Sequence, residues 1–205
     1  MRASAVVAWW ACASACGSPS PVVHIRVTPD GQAVVGATRM TFTADSAHLS
    51  PTNTVYTWTF GDGGTATGPE VDHVFLSEGT FVVTVSASGG GRRAESTASV
   101  TARSLTGNWS RPDGGGPAGF GFYFALVQRG TELDGEINSP SLCPVQNFRP
   151  PFGTIQGRVG HPRIVTWTLM CGGVEGFSGT VAPDLNSITG MYGSRPQPFT
   201  YVRDR

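Results

Sequence analysis

Fourteen Asp and Glu, four His and four Cys are the residues of this 205-residue chain whose types could do chemistry. Two carboxylates held about 5–9.5 Å apart suffice for glycoside hydrolysis. A thiol beside an imidazole makes a nucleophile, and four clustered Cys or His make a zinc site. The spacing supports none of these. His24, His48, His73 and His161 lie scattered, no Cys has a His at a paired interval, and neither G-x-S-x-G nor H-E-x-x-H occurs. Glu132, Asp134 and Glu136 alternate with Leu133, Gly135 and Ile137, so they fall on the solvent side of a strand; Asp184 sits in the turn Pro183-Asp184-Leu185-Asn186. Every cation is Arg, which removes Schiff-base chemistry and lysine-dependent phosphate loops. The residues therefore predict a non-catalytic protein with no cofactor and no metal.

The cysteines instead speak of export. Arg2 precedes an uncharged, largely apolar stretch from Ala3 to Ala15, the length of a signal-peptide core and too short to span a bilayer. Ala13-Ser14-Ala15-Cys16 resembles a bacterial lipobox, with Ala13 where Leu is usual. That resemblance implies that Cys16 is acylated and becomes the first mature residue, in a lipid-anchored protein of the outer membrane or cell surface. Cys12 follows Trp10-Ala11 and suits the site less well; ordinary cleavage near Ala15 would give a secreted protein instead. Gly-Ser-Pro-Ser-Pro then makes a polar tether, so residues 1–21 are processing signal and linker. Cys143 and Cys171 remain, and in an oxidising compartment such a pair is expected to form a disulfide, with unpaired thiols as the alternative. Closing that loop is worth about 3.5 kcal/mol in the chain-entropy picture.

The elements that must position these residues are strands. Fourteen cations balance fourteen anions, which gives no electrostatic case for nucleic acid as a partner. Gly (28) and Pro (15) punctuate a chain rich in Val, Thr and Phe, and no segment carries a sustained helical stripe. In residues 22–102, strand signals recur at 22–27, 39–43, 56–60 and 81–86, separated by turn residues such as Pro29-Asp30-Gly31 and Gly61-Asp62-Gly63-Gly64. Gly89 to Arg93 reads as a hairpin loop. Trp58-Thr59-Phe60-Gly61-Asp62-Gly63 resembles the WDFGDG signature of PKD domains, continued by His73 and Phe75, then Gly79 and Phe81. The resemblance implies an immunoglobulin-like β-sandwich with Trp58 between its sheets, serving as a spacer or an adhesive surface for protein or carbohydrate. Thr59 stands where the family carries Asp. Asp62 is expected to cap its own turn, calcium ligation being the alternative, and His73 to bond across the sandwich edge.

Residues 104–205 carry eight strand-like segments, near 105–110, 119–128, 132–138, 153–159, 163–171, 175–182, 187–193 and 197–203. Phe120, Phe122, Phe124 and Leu126 point to one side, as do Leu133 and Ile137 after the Arg129-Gly130 turn. Eight short strands with tight turns predict a small antiparallel barrel, because closure removes edges; a sandwich or a six-stranded barrel stays open. Leu105-Thr106-Gly107-Asn108-Trp109 resembles the first-strand G-x-W of the calycin superfamily, which implies that Trp109 closes one barrel end beneath Arg203. Phe120, Phe122 and Phe124 are expected either to fill the barrel or to line an apolar cup, with Tyr192 and Tyr201 supplying hydroxyls at its mouth. The whole reads as an all-β, exported, non-enzymatic protein for adhesion or recognition of protein or glycan. A carrier of a small apolar ligand and a structural part of an envelope assembly are the alternatives.

Overall fold

Alternation of apolar with hydroxyl-bearing residues dictates strands, and among the described residues strands are the only regular elements. The computed structural model describes residues 18–50, 52–112, 123–138, 151–170, 173–193 and 197–204. The first module is built from β1 (Val22–Thr28), β2 (Gln32–Val34), β3 (Met40–Ala47), β4 (Val55–Thr59), β5 (Thr65–Thr67), β6 (Glu70–His73), β7 (Gly79–Gly89) and β8 (Arg92–Arg103). They form two facing sheets, ordered β1-β3-β6 and β2-β8-β7-β4-β5, antiparallel throughout except for β2 beside β8. The β7–β8 hairpin turns on Gly90 and Gly91, whose φ values of 62° and 75° are open to glycine at little cost. Trp58 lies wholly buried between the sheets, 6.0 Å from the ring of Phe42, and its indole N–H donates to the Gly68 carbonyl at 2.8 Å. Burying roughly 250 Å² of such a side chain contributes up to about 6 kcal/mol.

The second module closes on itself. Strands β9 (Gly107–Ser110), β10 (Tyr123–Arg129), β11 (Glu132–Ile137), β12 (Gly153–Gly160), β13 (Ile164–Met170), β14 (Val174–Val181), β15 (Ser187–Tyr192) and β16 (Phe199–Arg203) form an eight-stranded antiparallel barrel. Pairing of Val202 with Ser110 and of Arg203 with Trp109 seals the seam, so neither a sandwich nor a six-stranded barrel describes it. Inward positions alternate large rings with glycine. A Cβ on Gly157 would lie 2.2 Å from the Thr166 carbonyl oxygen and 2.5 Å from Trp167 Cβ. One on Gly190 would lie 2.6 Å from the Phe177 ring. These glycines leave the space the aromatic rings occupy.

Candidate functional site

The tight turn after β4 brings together the residues of the first module's motif. Gly61 has φ 79°, and a Cβ there would stand 2.8 Å from the Val82 carbonyl oxygen; Gly63 has φ 94°. The turn closes when Phe60 N–H donates to Gly64 O at 3.0 Å and Gly64 N–H donates to Asp62 Oδ1 at 2.9 Å. Asp62 Oδ2 lies 2.7 Å from His73 Nε2, and the His73 ring stacks on Phe60 at 4.0 Å and meets Phe75 edge-on. Phe81 stacks on Phe75 at 4.7 Å, close over Gly79. Burial alone would raise the Asp62 carboxyl; the bonds from His73 and Gly64 outweigh it and hold the pKa below the ordinary value. With both oxygens engaged, Asp62 clips the turn to β6. Among the described residues no group of three His, Cys, Asp or Glu could hold a metal ion.

In the barrel, Trp109 is fully buried, donates from Nε1 to Leu105 O at 3.0 Å, and carries the Arg203 guanidinium 4.8 Å from its ring. Arg203 also donates to the carbonyls of Thr106 and Ser104, while its Nε has no partner. Burial, together with nearby Arg103, lowers its pKa. Phe124, Tyr192 and Tyr201 stand in the core with Trp167 and Phe177, Phe124 packing edge-on against Tyr201 at 4.9 Å. Tyr192 and Tyr201 do not stand at a mouth. They are at most 1% exposed, and their hydroxyls bond each other at 2.8 Å, which lets two phenols enter the interior together. Trp167 was not singled out from sequence, although Val165-Thr166-Trp167-Thr168-Leu169 alternates cleanly. It stacks on Phe177 at 4.1 Å and its buried Nε1 has no partner. Cys16, Cys143, Cys171, Phe120 and Phe122 lie outside the described residues.

Residues 24–102 match the family model of the PKD domain. The N-terminal module is a PKD domain. Among solved structures, the PKD1 domain of Vibrio anguillarum Epp aligns with TM-score 0.34 and 14% identity, over 42% of this chain and 98% of that one. A structure described as the basis for the promiscuous specificity of carbohydrate-binding modules from the β-sandwich superfamily aligns with TM-score 0.39 and 20% identity. It is matched over 84% of this chain, which spans 59% of that one. Among curated proteins no match is found.

The PKD domain meets the barrel end-on. Val34, on β2, is fully buried in the barrel's core cluster. Thr38, likewise buried, accepts from Val34 N–H at 2.9 Å and donates to Pro162 O at 2.8 Å. Gln128 donates to Val35 O at 2.7 Å, and Glu78 accepts from Ser104 N–H at 2.7 Å. Arg163, its side chain only 11% exposed, grips Asp30 with two bonds of 2.7 and 3.1 Å. That hydrogen bond lowers the Asp30 pKa against the opposing effect of burial. The hairpins β10–β11 and β12–β13 and the β14–β15 turn all sit at this joint. The C-terminal ends of β9, β11, β13 and β15 and the N-terminal ends of β10, β12, β14 and β16 therefore lie at the opposite end of the barrel. The chain also enters the PKD domain at the end away from the joint, where Arg92 holds the carbonyls of Pro19 and His48.

Proposed function

We propose that this is a non-catalytic display protein of a bacterial envelope, in which the PKD domain is a rigid mount and the far end of the barrel meets a protein or glycan partner. The observation that carries the reading is the polarity of the molecule. Pro19 and β1 stand at one end, the joint lies in the middle, and the strand ends that lead into four inter-strand connections lie at the other end. An acyl chain on Cys16 would thus place the PKD domain between membrane and barrel. Twelve residues of β8 span about 40 Å and the tilted barrel strands about 20 Å, so the contact end stands roughly 60 Å beyond the tether. Loops on a rigid scaffold are where binding residues concentrate. Carriage of an apolar ligand is the weaker reading, because Phe124, Trp167, Phe177, Tyr192 and Tyr201 already stack across the described interior.

Two measurements test this. Metabolic labelling with an alkyne-tagged palmitate should mark the wild-type chain and not Cys16→Ser; equal labelling of both removes the anchor. Capture of envelope glycans and proteins on arrays should be lost when residues 139–150 are replaced by an equally long Gly-Ser segment, with the melting temperature unchanged. Undiminished capture by that variant would refute recognition at the far end.

A further inference from the structure

The outward side of the five-stranded PKD sheet carries hydroxyls in register. Pairing places Thr65, Thr59, Thr84 and Thr97 side by side on β5, β4, β7 and β8, with Thr67, Thr57 and Ser86 forming a parallel row one pleat away. Thr57, Thr59, Thr65, Thr67 and Thr97 are exposed, and Trp58, Val83 and Val85 point the other way into the core. Hydroxyls thus recur about every 4.8 Å across the strands and about 6.7 Å along them. Each offers one donor and two acceptors beside a methyl group. Exposed Val55 and Val82 add apolar contact on the same side. On β8 the same face carries Arg93, Glu95 and Arg103: Glu95 ends the Thr67-Thr57-Ser86 row and pairs with Arg93, Arg103 donates to Asn186 Oδ1, and Thr97, Ser99 and Thr101 between them are uncharged.

We propose that this face binds a single chain of neutral polysaccharide laid across the strands. Charge selects the occupant: the two cations at the margins of the face, Arg93 and Arg103, are already engaged by Glu95 and Asn186, and the threonine rows between them carry none of the cations that nucleic acids and acidic polymers need. An extended peptide would pair along a sheet edge and not lie on side chains. Twist decides between a polymer chain and an ordered solid. Adjacent strands rotate by about 20–25°, so four strands turn the row by roughly 60–75°, which a flexible glycan follows and a flat lattice plane does not. The face lies on the mount and is separate from the barrel's far end.

Affinity electrophoresis of the full chain in gels containing hydroxyethylcellulose, glucomannan or dextran, with alginate as the acidic control, tests the proposal. At least one neutral polymer should retard the protein, and alginate should not. Thr59→Val with Thr84→Val keeps both β-branched shapes and should weaken retardation roughly fivefold per lost hydroxyl. The matching Thr→Ser pair should bind as wild type, and Thr57→Lys with Thr97→Lys should abolish retardation at unchanged melting temperature. Replacing residues 139–150 should leave it intact. The proposal is overturned by no retardation in any neutral polymer, by retardation in alginate alone, by undiminished binding in both the Val and Lys pairs, or by loss in the 139–150 replacement.

Discussion

Replacing Thr38 by Val keeps the side chain's shape and deletes only its hydroxyl, which makes it a direct probe of the joint. The hydroxyl accepts from the buried Val34 N–H and donates to Pro162 O of the barrel. Orphaning the N–H costs about 1–3 kcal/mol, and losing the bond to Pro162 about 1 kcal/mol, since that carbonyl is part-buried and can turn to water. The added methyl returns about 0.8 kcal/mol of apolar burial. A net loss near 2 kcal/mol follows, and for a cooperative unit of this size it lowers the melting temperature by about 4–8 °C. Thr38→Ser retains both bonds and should cost less than half as much. Calorimetry measures the shift. Hydrogen exchange read by mass spectrometry should show faster exchange on both sides of the joint, in peptides spanning residues 32–40 and 160–166. A melting temperature within about 1 °C of wild type, equal damage from Ser and Val, or faster exchange confined to the PKD side would refute the coupling.

Acid stability should depend on Asp62. Its folded pKa is lowered, so its contribution is present above the unfolded value of about 3.9 and is lost as the pH falls through the folded value. Asp62→Asn should therefore melt lower at pH 7 and show a flatter acid limb below about pH 4; an acid limb parallel to wild type would contradict the clip. In the barrel, Gly190→Ala forces a Cβ to 2.2 Å from Ser178 O and 2.4 Å from Gly179 Cα, both backbone atoms that cannot swing aside. It should cost at least about 1–3 kcal/mol in urea denaturation. Gly176→Ala meets nothing within 4 Å and should stay within about 0.5 kcal/mol of wild type. Equal midpoints for the two alanine variants would show that the inward glycines are not required for packing.

What the sequence made legible was set by how local each signal is. Phe124 and Leu126 on β10 and Leu133 and Ile137 on β11 alternate with polar residues, and that period alone places them inside the barrel. Strand β8 is twelve residues long yet escapes the same reading, because its inward residues Ala94, Ser96, Ala98, Val100 and Ala102 are mostly too small to register as hydrophobic. Tyr192 and Tyr201 show the opposite failure: alternation points them inward, but a phenol is assumed to seek water unless its partner is known, and here each finds the other. The joint is the least legible part. Thr38 bonds a residue 124 positions away, and nothing in Gln32-Ala33-Val34 tells that Val34 belongs to the core of the second module. Those contacts also decide how the chain can be divided. Cutting it between Arg103 and Ser104 would bare Val34 and Leu105, both fully buried, and leave Arg163 without Asp30. The barrel's end at the joint is completed by the PKD domain, so the recognition proposed for its other end is to be tested on the joined pair and not on a 104–205 fragment.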